Sequence, residues 1–509
     1  MDVHNDLQMM IFQREGEMGL TFETLGNATL QLFEEGRPVL ATDPWLKGTA
    51  YFGSWGLDHP LTETQIRNVV QSPYLWISHG HPDHLHPESI EMLSRKSLIL
   101  LPNHYHPEIR ESLESKGFRV EVLRFKEWTR LTPTVRVMCL ENMNQDAILI
   151  VEAGDALIVN LNDSPLHGEG PFLKTLIASY KKSFLLALCS IDADMINIVG
   201  GRGESLAPPR YESKRSAIWE LGDLCAFLNV SHFCCFSSQH LYVRPDSIWA
   251  NPYRIGWEEM QRHWNAPETK LIEPFVTVDL TDGSVTPNHP AHRPDLSSIS
   301  TETGEDDWNE KMSKGDWEGL ERFVRRFRLL KRHVDFIRFT VAGEARTFYI
   351  DPRRARGGKD RRGIHFIAPR NSLMKAVEYG YFDDLLIGNF MKTELINTRL
   401  YPHFTPIVAK LGGNAKVFTP RELWRFRAHY FRLSPRAYIA HHLQMQWVYQ
   451  WKPRLRGALK EAGLLDTAKR AMRRALGLPL LPAKADPEPL GETRLRGTDP
   501  GLIRPKADR

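Results

Sequence analysis

Ser78-His79-Gly80-His81-Pro82-Asp83-His84, directly after the apolar run Tyr74-Leu75-Trp76-Ile77, is the stretch whose reading decides the fold. Three imidazoles and a carboxylate within six residues, at the end of a buried strand, place several metal ligands on one loop at a sheet edge. Alternate residues such as His79 and His81 can point to one metal, while Asp83 and His84 turn toward a neighbour. Paired ions lie roughly 3.5–4 Å apart, so one short loop can serve both. Imidazole and carboxylate suit zinc, iron and manganese alike, and the expectation is one or two divalent metal ions, zinc or iron. His86, just beyond the run, reads as a solvated side chain.

One loop does not close such a site, so further ligands are expected at later strand ends. Strand Ala156-Leu157-Ile158-Val159-Asn160 delivers Asp163, a carboxylate placed to bridge two metals. Another apolar strand, ending at Phe236, delivers His240. A lone strand-end Asp caps a helix or turn more often than it binds a metal, and only the order relative to the histidine loop raises these two. Tyr242, two residues past His240, is a candidate donor to a developing oxyanion.

Around these stations the pattern is layered. Leu20 to Leu25, Ala28 to Phe33 and Val39 to Thr42 alternate as a β-meander with a turn at Glu35-Gly36. Strands are then expected at Ser97 to Leu101, Phe118 to Leu123, Val135 to Leu140, Ala147 to Glu152, Ala156 to Asn160, Phe184 to Leu188 and His232 to Phe236, with helices at Pro87 to Ser94 and Lys214 to Leu228. Such alternation after a meander predicts an α/β sandwich. The chain divides into an N-terminal extension (1–19), the sandwich domain (20–286), a polar linker (287–310), a mostly helical C-terminal domain (311–478) and a disordered tail (479–509). In the C-terminal domain, Thr340 to Ile350 reads as a strand pair, Asp351 to Arg362 as a basic loop, and Ser372 to Tyr379, Pro420 to Phe431 and Pro435 to Tyr449 as helices.

Composition is that of a globular enzyme: 42% hydrophobic, 25% charged, net charge +4 over 509 residues. The balance is too mild to call for a nucleic-acid partner. The five cysteines are scattered through apolar runs and read as buried thiols in a reducing compartment. No Cys-x-His or Cys-x-x-His occurs, which excludes an intrinsic Rieske cluster within these residues. Residues 1–19 lack the apolar core of a secretory signal, and no apolar run has the length of a membrane span, so the expected location is the cytoplasm. Arg454 to Gly477 alternates leucines with lysines and arginines; it is expected to pack with a solvated basic face or to lie on anionic lipid as a peripheral membrane contact.

In the order of these stations the sequence resembles the metallo-β-lactamase superfamily. The specific branch holds ascorbate-6-phosphate lactonases, the phospholipase D of N-acylphosphatidylethanolamine and CMP-N-acetylneuraminate hydroxylase. Gly26-Asn27-Ala28-Thr29 and Thr42-Asp43-Pro44-Trp45-Leu46 resemble its opening meander, Trp76 to Leu85 its metal loop, Asn160-Leu161-Asn162-Asp163 the segment with the bridging Asp, and Ser238-Gln239-His240 the last histidine. Gly380 to Gly388 is similar to a stretch near the hydroxylase C-terminus. The resemblance implies a metallo-β-lactamase-like αββα sandwich with a C-terminal α+β extension, and metal ligands His79, His81, Asp83, His84, Asp163 and His240. Two positions depart. Asn142 stands where the family has its third metal histidine, with Glu141 a possible substitute, and Asn27 replaces the histidine of the usual Gly-His-Ala opening.

The expected activity is that of a metallo-hydrolase acting on an anionic small molecule. The metal lowers the pKa of a bound water to roughly 7, and Asp83 orients or deprotonates that water. Lys47, Arg202, Arg210 and Arg244 are the available cations. The alternative is a non-haem iron oxygenase, which would need an external reductase as electron donor. A degenerate binding protein that has lost turnover is a third reading.

Overall fold

The computed structural model describes residues 19–288, 306–351, 361–412 and 415–461. Most of the N-terminal extension, residues 289–305 of the linker, residues 352–360 of the basic loop, residues 462–477 of the basic segment and the tail 479–509 lie outside the described residues.

The opening meander forms as the alternation predicts. Leu20–Leu25, Thr29–Glu34 and Arg37–Thr42 pair antiparallel. Between the second and third, Glu34 pairs with Arg37 across a two-residue turn in which Glu35 and Gly36 take φ of 50° and 70°. A two-residue hairpin needs this left-handed pair because its twist matches that of the strands. Val276–Asp279 and Val285–Pro287 extend one edge of the sheet, while Tyr74–Trp76, Leu98–Leu101 and Arg119–Val122 extend the other in parallel, giving eight strands. A second sheet of seven runs Lys270–Ile272, His232–Phe236, Lys182–Leu188, Ala156–Asn162, Ala147–Ala153, Val135–Glu141, Thr129–Arg130.

The two sheets close face to face over one apolar core containing Phe22, Leu30, Leu32, Trp76, Val137, Leu149, Ile158, Phe184 and Phe236. Phe22 of the first sheet meets Phe184 of the second edge to face, with ring centroids 5.3 Å apart. Helices Glu63–Val70, Pro87–Met92 and Glu108–Ser115 cover the outer face of the first sheet, and Gly170–Ile177, Arg210–Leu228 and Trp257–His263 that of the second. Strands covered on both faces are apolar throughout rather than alternating, as Ala156–Asn162 shows with every residue buried. The result is the expected αββα sandwich.

The C-terminal region combines helices with a small sheet. Phe336–Val341 and Glu344–Tyr349 form the expected strand pair, but Gly363–Ile367 and Lys392–Ile396 join it, and so does Ile198–Val199 from the sandwich segment, making a five-stranded sheet. Its core gathers Trp317, Phe339, Phe366, Phe382 and Phe404. The chain to Gln450 groups as one compact unit. In the unit that begins at Trp451, Lys452–Glu461 is helical. No helix among the described residues is long and apolar enough to cross a membrane.

Candidate metal centre

Each candidate ligand sits where a buried strand ends, and the strand ends are clamped from within. Asp43, fully buried, accepts from the Ser78 backbone N–H (2.7 Å) and the Ser78 hydroxyl (2.8 Å), while its own N–H donates to the Trp76 carbonyl (2.8 Å). The same carboxylate lies 3.2 Å from Nδ1 of His84, which fixes that ring and leaves Nε2 facing inward. Asp43, Asn162 and Ser237 take left-handed φ of 41°, 43° and 55°. Non-glycine residues hold this conformation only where surrounding contacts enforce it. Here it turns the chain sharply at Asp43, just before Asp163 and just before His240.

The inward Nε2 of His84 lies 3.3 Å from Asp83 Oδ2 and 3.4 Å from Asp163 Oδ2. Asp163 also accepts from the Ser237 hydroxyl. Both oxygens of Asp83 are held: the Tyr51 phenol donates to Oδ1 (2.6 Å) and the Asn27 amide to Oδ2 (2.8 Å). The Asn27 carbonyl oxygen in turn accepts from the backbone N–H of Gln239 (2.8 Å), tying the histidine loop to the segment before His240. Asn27 is thus a structural link between two ligand loops.

His79 Nε2 lies 2.9 Å from His81 Nδ1, and His79 Nδ1 is 3.4 Å from Asp146. Ligand atoms of His79, His84 and Asp163 converge within 4.8 Å of one another, and those of His81, Asp383 and Asp384 form a second such group. Burial disfavours charge on His81, but the Asp383 carboxylate, 3.4 Å away, outweighs it and raises the pKa to about 9. Burial together with Asp383 pushes Asp384 up to about 8.

His240 is placed by a three-residue strand, His240–Tyr242, paired with Trp55–Leu57. Its ring stacks on Trp55 with centroids 3.4 Å apart and planes 3° from parallel. It is 4% exposed, and neither ring nitrogen has a hydrogen-bond partner among the described residues. Burial and the nearby Arg254 charge push its pKa down to about 3, so the ring is neutral and its lone pair free. A buried imidazole without partners is costly unless something absent from the protein atoms satisfies it. Converging imidazole and carboxylate lone pairs beside it are the donor set that a divalent cation accepts. The residues present therefore fit a metal.

The Asn142 side chain is engaged by neighbours other than His79 and His81. The chain turns tightly from Asn142 to Asp146, and within this turn the Asn142 oxygen accepts from the Asn144 N–H (2.8 Å) while its amide donates to Ser164 (2.6 Å). The carboxylate that reaches His79 comes from the far end of the same turn, Asp146. Glu141 lies beside Cys139, with Tyr430 near, and burial raises its pKa to about 8. Tyr242 is buried and its hydroxyl is engaged by the Asn389 amide (3.1 Å), so the phenol that touches the carboxylates is Tyr51. Of the expected cations, Arg244 is spent on Asp246 and Asp306, and Lys47, Arg202 and Arg210 are exposed.

A narrow cleft lies against His240 and Tyr242, bounded by Cys189, Ser190, Ile191 and Arg254. Arg254 pairs with Asp58 (2.8 Å) through Nη2, while its buried Nε has no hydrogen-bond partner among the described residues. Asp43 carried the same strand-end signal as Asp163, and Asp383-Asp384 lay within the quoted Gly380 to Gly388 segment. Tyr51, Asp146 and Arg254 carried no local signal.

Compared with models of known protein families, the chain matches none. Over 163 residues it is 30% identical to cytidine monophosphate-N-acetylneuraminic acid hydroxylase of Danio rerio, a match covering 30% of this chain and 27% of that protein. Over 174 residues it is 26% identical to the inactive human counterpart, covering 32% and 34% of the two chains. The matches thus span about a quarter to a third of these relatives. Among solved structures it is similar to Igni18, a metallo hydrolase of Ignicoccus hospitalis, with 17% identity and a TM-score of 0.33 over 52% of this chain and 97% of that one.

Proposed function

We propose that this chain, an αββα sandwich with imidazole and carboxylate ligands gathered at its strand ends, is a metal-dependent hydrolase of an anionic small molecule, phosphate-, nucleotide- or sugar-linked. The observation that carries the reading is the state of Asp83: buried beside the converging ligands, with each oxygen held by a neutral donor, Tyr51 or Asn27. Burial opposes its charge, but His84 beside it outweighs this and holds the carboxyl well below the usual carboxylate range, so it stays ionised and oriented to accept a hydrogen bond from an attacking water without rearranging. A divalent ion, held by His79, His84, Asp163 and His240 with His81 and Asp83 alongside, would supply Lewis acidity and lower the pKa of that water. Arg254 offers its free Nε–H to an anionic group entering the cleft beside His240. Asp43 and Asp146 orient His84 and His79, so that the donors are preorganised.

A second reading is favoured by the similarity to the hydroxylases: a non-haem iron oxygenase on the same ligands. In this reading electrons would come from an external reductase. The test is to purify the chain anaerobically, measure its metal, and assay phosphodiester, phosphomonoester and ester substrates with and without oxygen. Zinc with oxygen-independent hydrolysis supports the proposal, with loss of metal in His81→Ala. Iron with strictly oxygen-dependent turnover overturns it in favour of the oxygenase.

A further inference from the structure

The helices Pro420–Leu433 and Pro435–Gln446 are packed on one side only. Phe426 and Tyr430 are buried, and Phe426 meets Tyr105 with centroids 5.4 Å apart. Ala437 lies so close to Gly168 that a Cβ on the glycine would fall 2.2 Å from the Ala437 carbonyl oxygen. Among the described residues the other side is uncovered, and it carries large apolar side chains. Trp424 is 68% exposed and Phe431 43%; Ile439, Leu443 and Trp447 follow at four-residue intervals, which aligns them along one helix face. Fourteen large hydrophobic side chains are exposed among the described residues, and six of them, Val448 included, fall between Trp424 and Val448. Scattered apolar residues are ordinary on a surface, but a contiguous stripe marks an interaction site.

The charge of the same helices selects the partner. Between Pro420 and Gln446 there are five arginines, Arg421, Arg425, Arg427, Arg432 and Arg436, all exposed, and one acidic residue. That residue, Glu422, is spent capping its own helix, accepting from the N–H groups of Phe418 and Thr419. None of the five arginines makes an ion pair among the described residues. A second copy of the chain would set five guanidinium groups against five. An anionic phospholipid headgroup layer pairs with the arginines and admits the aromatic and aliphatic stripe at its boundary, where tryptophan is favoured.

We propose that the face formed by Trp424, Phe431, Ile439, Leu443 and Trp447 with Arg425, Arg432 and Arg436 docks this protein on the surface of an anionic lipid bilayer. The contact is peripheral. It lies upstream of the 454–477 segment that the sequence marked for this role, and does not depend on the reaction the metal centre performs.

Flotation of the full chain with vesicles of phosphatidylcholine, alone or with about a third phosphatidylglycerol, tests this. Binding is expected only with phosphatidylglycerol and is expected to fall as salt rises. Leu443→Asp, at an exposed position, should lower bound protein by about ten-fold, as an anion now faces the lipid. The triple variant Arg425→Gln, Arg432→Gln, Arg436→Gln should lose the preference for phosphatidylglycerol, with an unchanged circular-dichroism melt. Equal binding of wild type and both variants overturns the proposal. So does absence of vesicle binding by a chain that is dimeric in light scattering and made monomeric by Leu443→Asp, which would identify the face as an interface between copies.

Discussion

The ring of His240 lies flat on the indole of Trp55, 3.4 Å between centroids. The stack fixes the plane of an imidazole that makes no hydrogen bond among the described residues, so Trp55 takes the orienting part that Asp43 plays for His84. Trp55→Leu keeps an apolar neighbour but releases the ring. Loss of an orienting partner typically costs a ligand about ten- to a hundred-fold in metal affinity. The expected outcome is a fall of that size in metal retained during dialysis against graded chelator. Unchanged retention would show that His240 is not a ligand.

Asp146 and Asn142 sit at the two ends of one turn and are expected to behave oppositely. The Asp146 carboxylate lies 3.4 Å from His79 Nδ1, whereas the Asn142 amide is committed to Ser164. Asp146→Asn removes the charge that orients His79 and should weaken metal binding on the order of ten-fold, by the same orienting argument. Asn142→Ala should leave metal affinity within error, its cost appearing as a lowered melting temperature. A competition titration with a chromophoric chelator reads both. A large loss of metal affinity in Asn142→Ala would restore that residue to the ligand set.

Contrasting signals explain what was legible in the chain. Strands covered on both faces leave unbroken apolar runs, and so Val135–Glu141, Ala147–Ala153 and His232–Phe236 could be read almost to the residue. The histidine loop, Asp163 and His240 were visible because each follows such a run. Short strands that complete a sheet from afar leave no such mark: Ile198–Val199 has two residues, and Lys392–Ile396 is only partly buried. Orienting groups are equally silent. Asp383 meets His81 across 302 positions of sequence, Tyr51 belongs to a loop without periodicity, and Asp146 looks like an ordinary turn residue. Contacts formed by tertiary folding alone have no local pattern to read.

Asp194 is a carboxylate whose burial sets a pH dependence. It lies in the turn Ala193–Met195, accepts from the Thr405 hydroxyl (3.1 Å), and is held up at about 7 by burial and then by the neighbouring charge of Asp192. The unfolded chain titrates this group near 3.8. Between these values the folded state binds the proton and the unfolded state does not, so stability falls as pH rises. The contribution is fully present below about pH 4, is lost progressively to about pH 7, and is absent above it. Asp194→Asn keeps the shape and never ionises. Relative to wild type it should gain on the order of a few kcal/mol more at pH 8 than at pH 4. Urea midpoints for both chains at the two pH values measure this. An equal gap at both would mean that Asp194 is ionised in the folded protein throughout, stabilised by Thr405 more than burial opposes it.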